Sequence, residues 1–173
     1  MKEQRVQRIL DAMKESGIPQ MIISDATAIF YLTGKWIHPG ERLLALYLNI
    51  NGNHRLVINE LFPQNKDLGV ELVWYNDMQD GGAILNEVLE HDKMIGIDKT
   101  WPARFLLRLQ ELGGAKGYVN GSSIVDGVRI VKDEEEQEKM RVCFQARELI
   151  FQNGETIMEY SCSMHKIGLI LYG

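Results

Sequence analysis

The stretch VDGVRIVKDEEEQEKMR, residues 125–141, decides how this chain is divided. Its first half reads as an extended, strand-like segment, followed by a short basic link and the start of a helix. Asp133 and Glu136 have the spacing of a capping box, and the acidic first turn complements the helix dipole. Beyond it Met140, Cys143, Ala146 and Ile150 recur at helical spacing. A long amphipathic helix is therefore predicted from about Asp133, and its apolar stripe needs a surface to pack on. Only 23 residues follow Ile150, too few for a domain that could cover it. The expected organisation is a first domain over residues 1–130. Residues 131–173 then form a linker, the opening helix of a truncated second domain and an atypical tail.

Working upstream, the periodicities alternate between helix and strand. Val6, Ile9, Leu10 and Met13 lie at i, i+3, i+4 and i+7, one stripe of a helix resting on a sheet. Gly17 closes that helix and Pro19 prevents its return. Met21 to Ser24 reads as a buried strand. Asp25 or Thr27 caps a helix that Gly34 ends. Leu43 to Ile50 is almost wholly apolar, as expected of a strand covered on both faces. Asn51-Gly52 is a hairpin signal, with Arg55 to Asn59 returning antiparallel. Strands over 70–75, 94–97 and 117–119 alternate with helices. One of these helices is expected over 83–90. The other is capped by Thr100, carries Pro102 in its first turn and ends at Gly113-Gly114. The predicted fold class is α/β, a mixed β-sheet with helices on both faces.

Length, charge and cysteines exclude several function classes. At 173 residues, a chain buries about 68–70 % of its unfolded surface, enough for a real core. A net charge of −5 argues against a nucleic-acid binder, which needs a basic face to offset phosphates. No apolar run approaches the roughly 20 residues of a membrane span. The charged, amphipathic start MKEQRVQRILDAMKESG is unlike a secretory signal, so a cytoplasmic location is the expectation. Cys143 and Cys162 offer neither a disulfide framework nor zinc spacing.

Three stretches together resemble one family. SSIVDGVRIVKDEEEQEKMR, residues 122–141, looks like the junction between the two domains of the creatinase/prolidase/aminopeptidase P family of Xaa-Pro peptidases. The matching positions are Arg129, Lys132, Glu135, Glu136, Met140 and Arg141. DATAIFYLTGKWIHPGERLLALYLN, residues 25–49, is similar to the family's Y-L-T-G segment and the strand after it. IGIDKTWPARFLLRLQEL, residues 95–112, is similar to a family strand and its following helix. The resemblance covers about residues 3 to 150 and is most like a prolidase. It implies the family's amino-terminal domain, of ribonuclease H-like architecture, with the pita-bread catalytic domain missing. It also implies a homodimer, a role in gating substrate, and proline-containing peptides as ligands. The two divalent ions of the family, manganese or cobalt, belong to the missing domain, so no cofactor and no catalytic residue are expected in this chain.

The loop Gly34–Arg42 is the candidate site. It holds two glycines, a proline, an aromatic, a histidine and both signs of charge. A plain connection has no need of Trp36, which either packs on its own domain or serves a partner. The resemblance implies a loop reaching a partner subunit's active-site mouth. There His38 and Arg42 would meet a substrate carboxylate, with Trp36 as an apolar wall. Asp25, Asp77 and Asp98 each follow a predicted strand, where a metal site could form, but capping and turn roles are the stronger reading. His54 and His91 read as solvated or packed, and the cluster Cys162, Met164, His165 as a chance tail. Two further readings stand beside the gating domain. One is a stand-alone peptide- or protein-binding module of the same fold. The other is a carboxylate-based nuclease, which the charge disfavours.

Overall fold

The computed structural model describes residues 1–63 and 67–152. By contacts the chain divides into two units, Met1–Val128 and Arg129–Gly173. The first is built on a six-stranded sheet: β1 (Gln20–Ile23), β2 (Ala45–Asn49), β3 (Arg55–Asn59), β4 (Glu71–Tyr75), β5 (Met94–Ile97) and β6 (Gly117–Asn120). Their order across the sheet is β4-β3-β2-β1-β5-β6. Strand β2 pairs antiparallel with β1 and β3, while β3–β4, β1–β5 and β5–β6 pair parallel. Five strands therefore end on the same rim of the sheet, and only β2 runs against them.

Strict alternation along the strands makes two cores. Met21, Ile23, Leu46, Leu48, Leu56 and Ile58 face one side. There they meet α1 (Glu3–Glu15), α2 (Ala26–Thr33) and α5 (Ser122–Ile130). Ile22, Ala45, Tyr47, Val57, Ile95 and Ile97 face the other side. That side is covered by α3 (Gly81–Asn86) and α4 (Ala103–Glu111). The mixed sheet with helices on both faces is thus as expected, and β2 is buried at all five positions.

Local signals account for most ends. Asp25 caps α2 by accepting from the backbone N–H groups of Thr27 and Ala28. Gly17 (φ 66°) ends α1, with Ile18 N–H donating back to Met13 O at 2.9 Å. Three expectations need correction. Residues 125–131 are not extended: α5 is a helix that buries Ile124, Val125 and Val128, at i, i+1 and i+4. Its β-branched run imitates a strand, but burial on one helical face and the Asn120 side chain accepting from Ser122 N–H start a helix instead. Helix α3 begins at Gly81, because Asp80 caps it by accepting from Gly82 and Ala83, and it ends at Asn86. Thr100 does not cap α4, which starts after Pro102 with no side-chain cap.

The second unit contains α6 (Glu134–Gln152). Its capping box closes in both directions, Asp133 N–H to Glu136 Oε2 at 3.1 Å and Glu136 N–H to Asp133 Oδ1 at 2.9 Å. Lys139–Glu135 and Arg141–Glu138 pairs, at 2.8 and 3.0 Å, line its exposed face. The side chains of Ala146, Ile150 and Phe151, and the whole of Cys162, Met164 and His165, lie outside the described residues.

Candidate functional site

The loop from Gly34 to Arg42 leaves α2 through Gly34, whose φ of 74° is the left-handed conformation that favours glycine. Thr33 Oγ1 accepts from Lys35 N–H and donates to Ile29 O, which fixes the exit. Ile37 is the loop's buried anchor. The Trp36 ring meets Phe30 edge-on, centroids 5.6 Å apart and planes at 69°, yet stays 40 % exposed. His38 is exposed. The loop then turns at Pro39, whose carbonyl accepts from Arg42 N–H, and feeds straight into the buried Leu43 and Leu44.

Arg42 is clamped from the other side of the hairpin. Its Nε and Nη2 donate to the two oxygens of Asp77 at 2.8 and 2.6 Å. Asn59, fully buried at the end of β3, donates from Nδ2 to Asp77 Oδ1 at 2.9 Å. Tyr75 O–H donates to Leu43 O at 2.9 Å and ties the same two chain segments together. The Asp77 carboxyl is held below the usual carboxylate range by the Arg42 hydrogen bond first, with Asn59 adding to it. The Arg42 guanidinium is raised by the same bond. Asp77 is thus not a helix cap but the inner partner of Arg42.

Beside this pair lies an open groove of about 480 Å³, lined by Arg42, Tyr75, Asp77, Asp80, Arg104 and Arg108 among others. Arg108 donates to Asp80 at 2.8 Å and to Glu111 at 2.9 Å. A Cβ on Gly82 would stand 2.8 Å from Arg108 Cγ, so glycine is what lets Arg108 lie across the start of α3. Arg104 donates to Glu41 O and sits 4.6 Å over the Phe105 ring. Each guanidinium here already has an acceptor within the chain. The groove is an ionic rim that fixes the base of the loop, with no nucleophile paired to a base.

Asp25 and Asp98 occupy the same sheet rim on its other half. Asp98 Oδ2 accepts from Ser24 and Asp25 N–H, both at 2.7 Å. Burial pushes the Asp98 carboxyl up, and those two N–H groups only partly offset it. Asp77 lies beyond β4, three strands from β1, roughly 14 Å away at ~4.8 Å per strand. Asp25, Asp77 and Asp98 are therefore not brought together, and each is already engaged by donors. Among the described residues no group of three or more His, Cys, Asp and Glu is placed to hold a metal ion. Nor, among them, is any helix long and apolar enough to cross a membrane.

Sequence reasoning did not pair Arg42 with Asp77 or place Arg104 and Arg108 beside them. The i, i+4 spacing of the two arginines on α4 was the available signal. His54 is packed, not solvated: its Nδ1 accepts from Asn49 N–H at 3.3 Å, and burial lowers its pKa.

Residues 5–131 match the Creatinase/Prolidase N-terminal domain. The chain belongs to that family. It is 25 % identical over 142 residues to "Putative dipeptidase YkvY" of Bacillus subtilis, a match that covers 76 % of this chain but 39 % of that protein. Among solved structures, a dipeptidase from Pyrococcus horikoshii superposes with a TM-score of 0.70 at 26 % identity, over 86 % of this chain and 44 % of that one. A prolidase from Thermococcus sibiricus reaches 0.77 at 18 % identity, over 88 % and 43 %. The creatinase/prolidase N-terminal domain of an X-Pro dipeptidase from Streptococcus pyogenes, at 22 % identity and a TM-score of 0.62, is covered over 99 % of its length. The chain thus spans well under half of its longer relatives, and nearly all of the isolated domain.

Proposed function

We propose that this chain serves as the non-catalytic N-terminal domain of an Xaa-Pro dipeptidase-like metallopeptidase. Its work is dimerisation and the gating of a partner subunit's substrate cleft. The observation that carries the reading is the family match over residues 5–131, in a chain whose relatives are named dipeptidases and prolidases. The build of the loop supports it. Arg42, tied to Asp77, holds the base of the Gly34–Arg42 loop, and Ile37 anchors its middle. His38 and Trp36 are left at the surface, where they can meet a peptide. Arg42 then acts by holding the loop, since its fork is already filled by a carboxylate. The two divalent ions that do the hydrolysis belong, on this reading, to a catalytic domain that supplies their ligands.

The purified chain is expected to release no proline from an Xaa-Pro dipeptide in manganese. Hydrolysis that a chelator abolishes would overturn the non-catalytic reading. A ¹⁵N-labelled sample titrated with glycyl-proline is expected to shift amides of residues 34–42. Shifts confined to other segments would remove the gating loop from the proposal.

A further inference from the structure

Strand β4 is one edge of the sheet, and among the described residues nothing pairs with its outer side. Tyr75 O accepts from Glu60 N–H, so the odd residues of β4 point their backbone groups toward β3. Leu72 and Trp74 therefore aim their N–H and C=O groups outward. An open edge of this kind is a template for another strand unless it is blunted. This edge carries little to blunt it. Trp74 is 38 % exposed on the strand, and Leu61 and Met78, just beyond the ends of β3 and β4, are 59 % and 94 % exposed. At the opposite edge, β6 exposes no large apolar side chain.

We infer that β4 pairs antiparallel with β4 of a second copy of this chain, about a two-fold axis through Val73, to give a continuous twelve-stranded sheet. This deepens the homodimer of the proposed function by naming its interface. The register follows from which residues face outward. Outward groups can exchange hydrogen bonds only if even residues stand opposite even residues. Centring on Val73 sets Leu72 against Trp74 of the other copy, and Trp74 against its Leu72. Both apolar pairs then lie on one face, an arrangement that stabilises sheets. Glu71 falls opposite Tyr75, so no like charges meet. Sliding the centre to Trp74 would set Glu71 against Asp77 of the other copy, a repulsive pair. A strand that is its own complement fits a second copy better than an unrelated peptide, and two-fold dimers are the commonest closed assembly.

The test uses the full chain with Cys143 and Cys162 replaced by serine. Light scattering at tens of micromolar should give a dimer. Val73 sits on the axis as a non-hydrogen-bonded pair, with Cα atoms about 4.5 Å apart. Val73→Cys should therefore oxidise to a linked dimer, while Glu71→Cys, which faces Tyr75, should not. Trp74→Lys should raise the dissociation constant at least ~100-fold, while a cooperative melt shows that the variant is folded and its Tm no longer rises with protein concentration as the parent's does. Leu72→Pro removes an outward N–H and should do the same. A monomer before mutation overturns both this interface and the dimer of the proposed function. A dimer that ignores Trp74→Lys, and that stays unlinked when Val73→Cys is oxidised, overturns this interface alone and moves the contact elsewhere, with the gating reading intact.

Discussion

Two aspartates follow strands on the same rim of the sheet, and their surroundings set them apart. Asp98 follows β5, is 8 % exposed, and its Oδ2 accepts from two backbone N–H groups. Asp77 follows β4 at the surface, and a guanidinium and an amide share its two oxygens. The first carboxyl is pushed up by burial, the second is held down by Arg42. The same residue type at the same kind of position is thus a packing element in one place and an electrostatic clamp in the other. What separates them is the donor supplied and the water left around it.

The largest effect is expected at Asp98. Replacement by alanine leaves Ser24 and Asp25 N–H without an acceptor at the turn that starts α2. Each such orphan costs on the order of 1–3 kcal/mol, so the loss should be about 3 kcal/mol, or roughly 10 °C in Tm. Thermal melts of Asp98→Ala check this. A loss as small as that of a surface change would mean that solvent reaches those amides.

Asp98→Asn should cost far less, and its cost should depend on pH. The side-chain oxygen of asparagine can still accept from Ser24 and Asp25, with no charge to bury. Burial raises the Asp98 pKa above its ordinary 3.8. Its stabilising contribution is therefore complete below that value and is lost as pH rises through the folded-state value. Asparagine does not titrate. Tm of Asp98→Asn relative to the parent should thus climb from pH 4 toward neutrality. Asp77 and Asp80 have lowered values and act in the opposite sense, their stabilisation being lost as pH falls below 3.8. A difference between Asp98→Asn and the parent that is flat from pH 4 to 7.5 would show that Asp98 is charged without penalty.

The contrast also explains what could be read in the sequence. The hairpin from Leu43 to Asn59 was legible because an apolar run, an Asn-Gly turn and a return strand are neighbours in the chain. The caps at Asp25 and Asp133 were legible for the same reason. The Arg42–Asp77 clamp was not, because its partners are 35 residues apart and meet only once β4 pairs parallel with β3. Parallel pairing leaves no turn between the strands to announce it. The α5 segment misled for a different reason. Val125, Val128, Ile130 and Val131 have high strand propensity, and only one-sided burial against α1 and the sheet shows the helical period.

The smallest effect on stability is expected at the clamp itself. Arg42 and Asp77 side chains are 38 % and 50 % exposed, so salt and water screen their attraction. Arg42→Ala should move Tm by no more than about 2 °C. Asp77→Ala also leaves the buried Asn59 amide without its acceptor and should cost more, though still less than the two orphaned N–H groups of Asp98→Ala. The double variant should be no worse than the worse single one, since both remove one interaction. The visible change should be in the loop. Amide exchange of residues 41–43 should quicken in both single variants, while that of β2 stays slow, because β2 is held by its own ladders on both sides. Exchanging the two residues, Arg42→Asp with Asp77→Arg, should restore part of the protection, although Asn59 then faces a guanidinium that cannot accept its N–H. If Arg42→Ala instead unfolds the domain as Asp98→Ala is expected to weaken it, the pair belongs to the core and the division between the two aspartates fails.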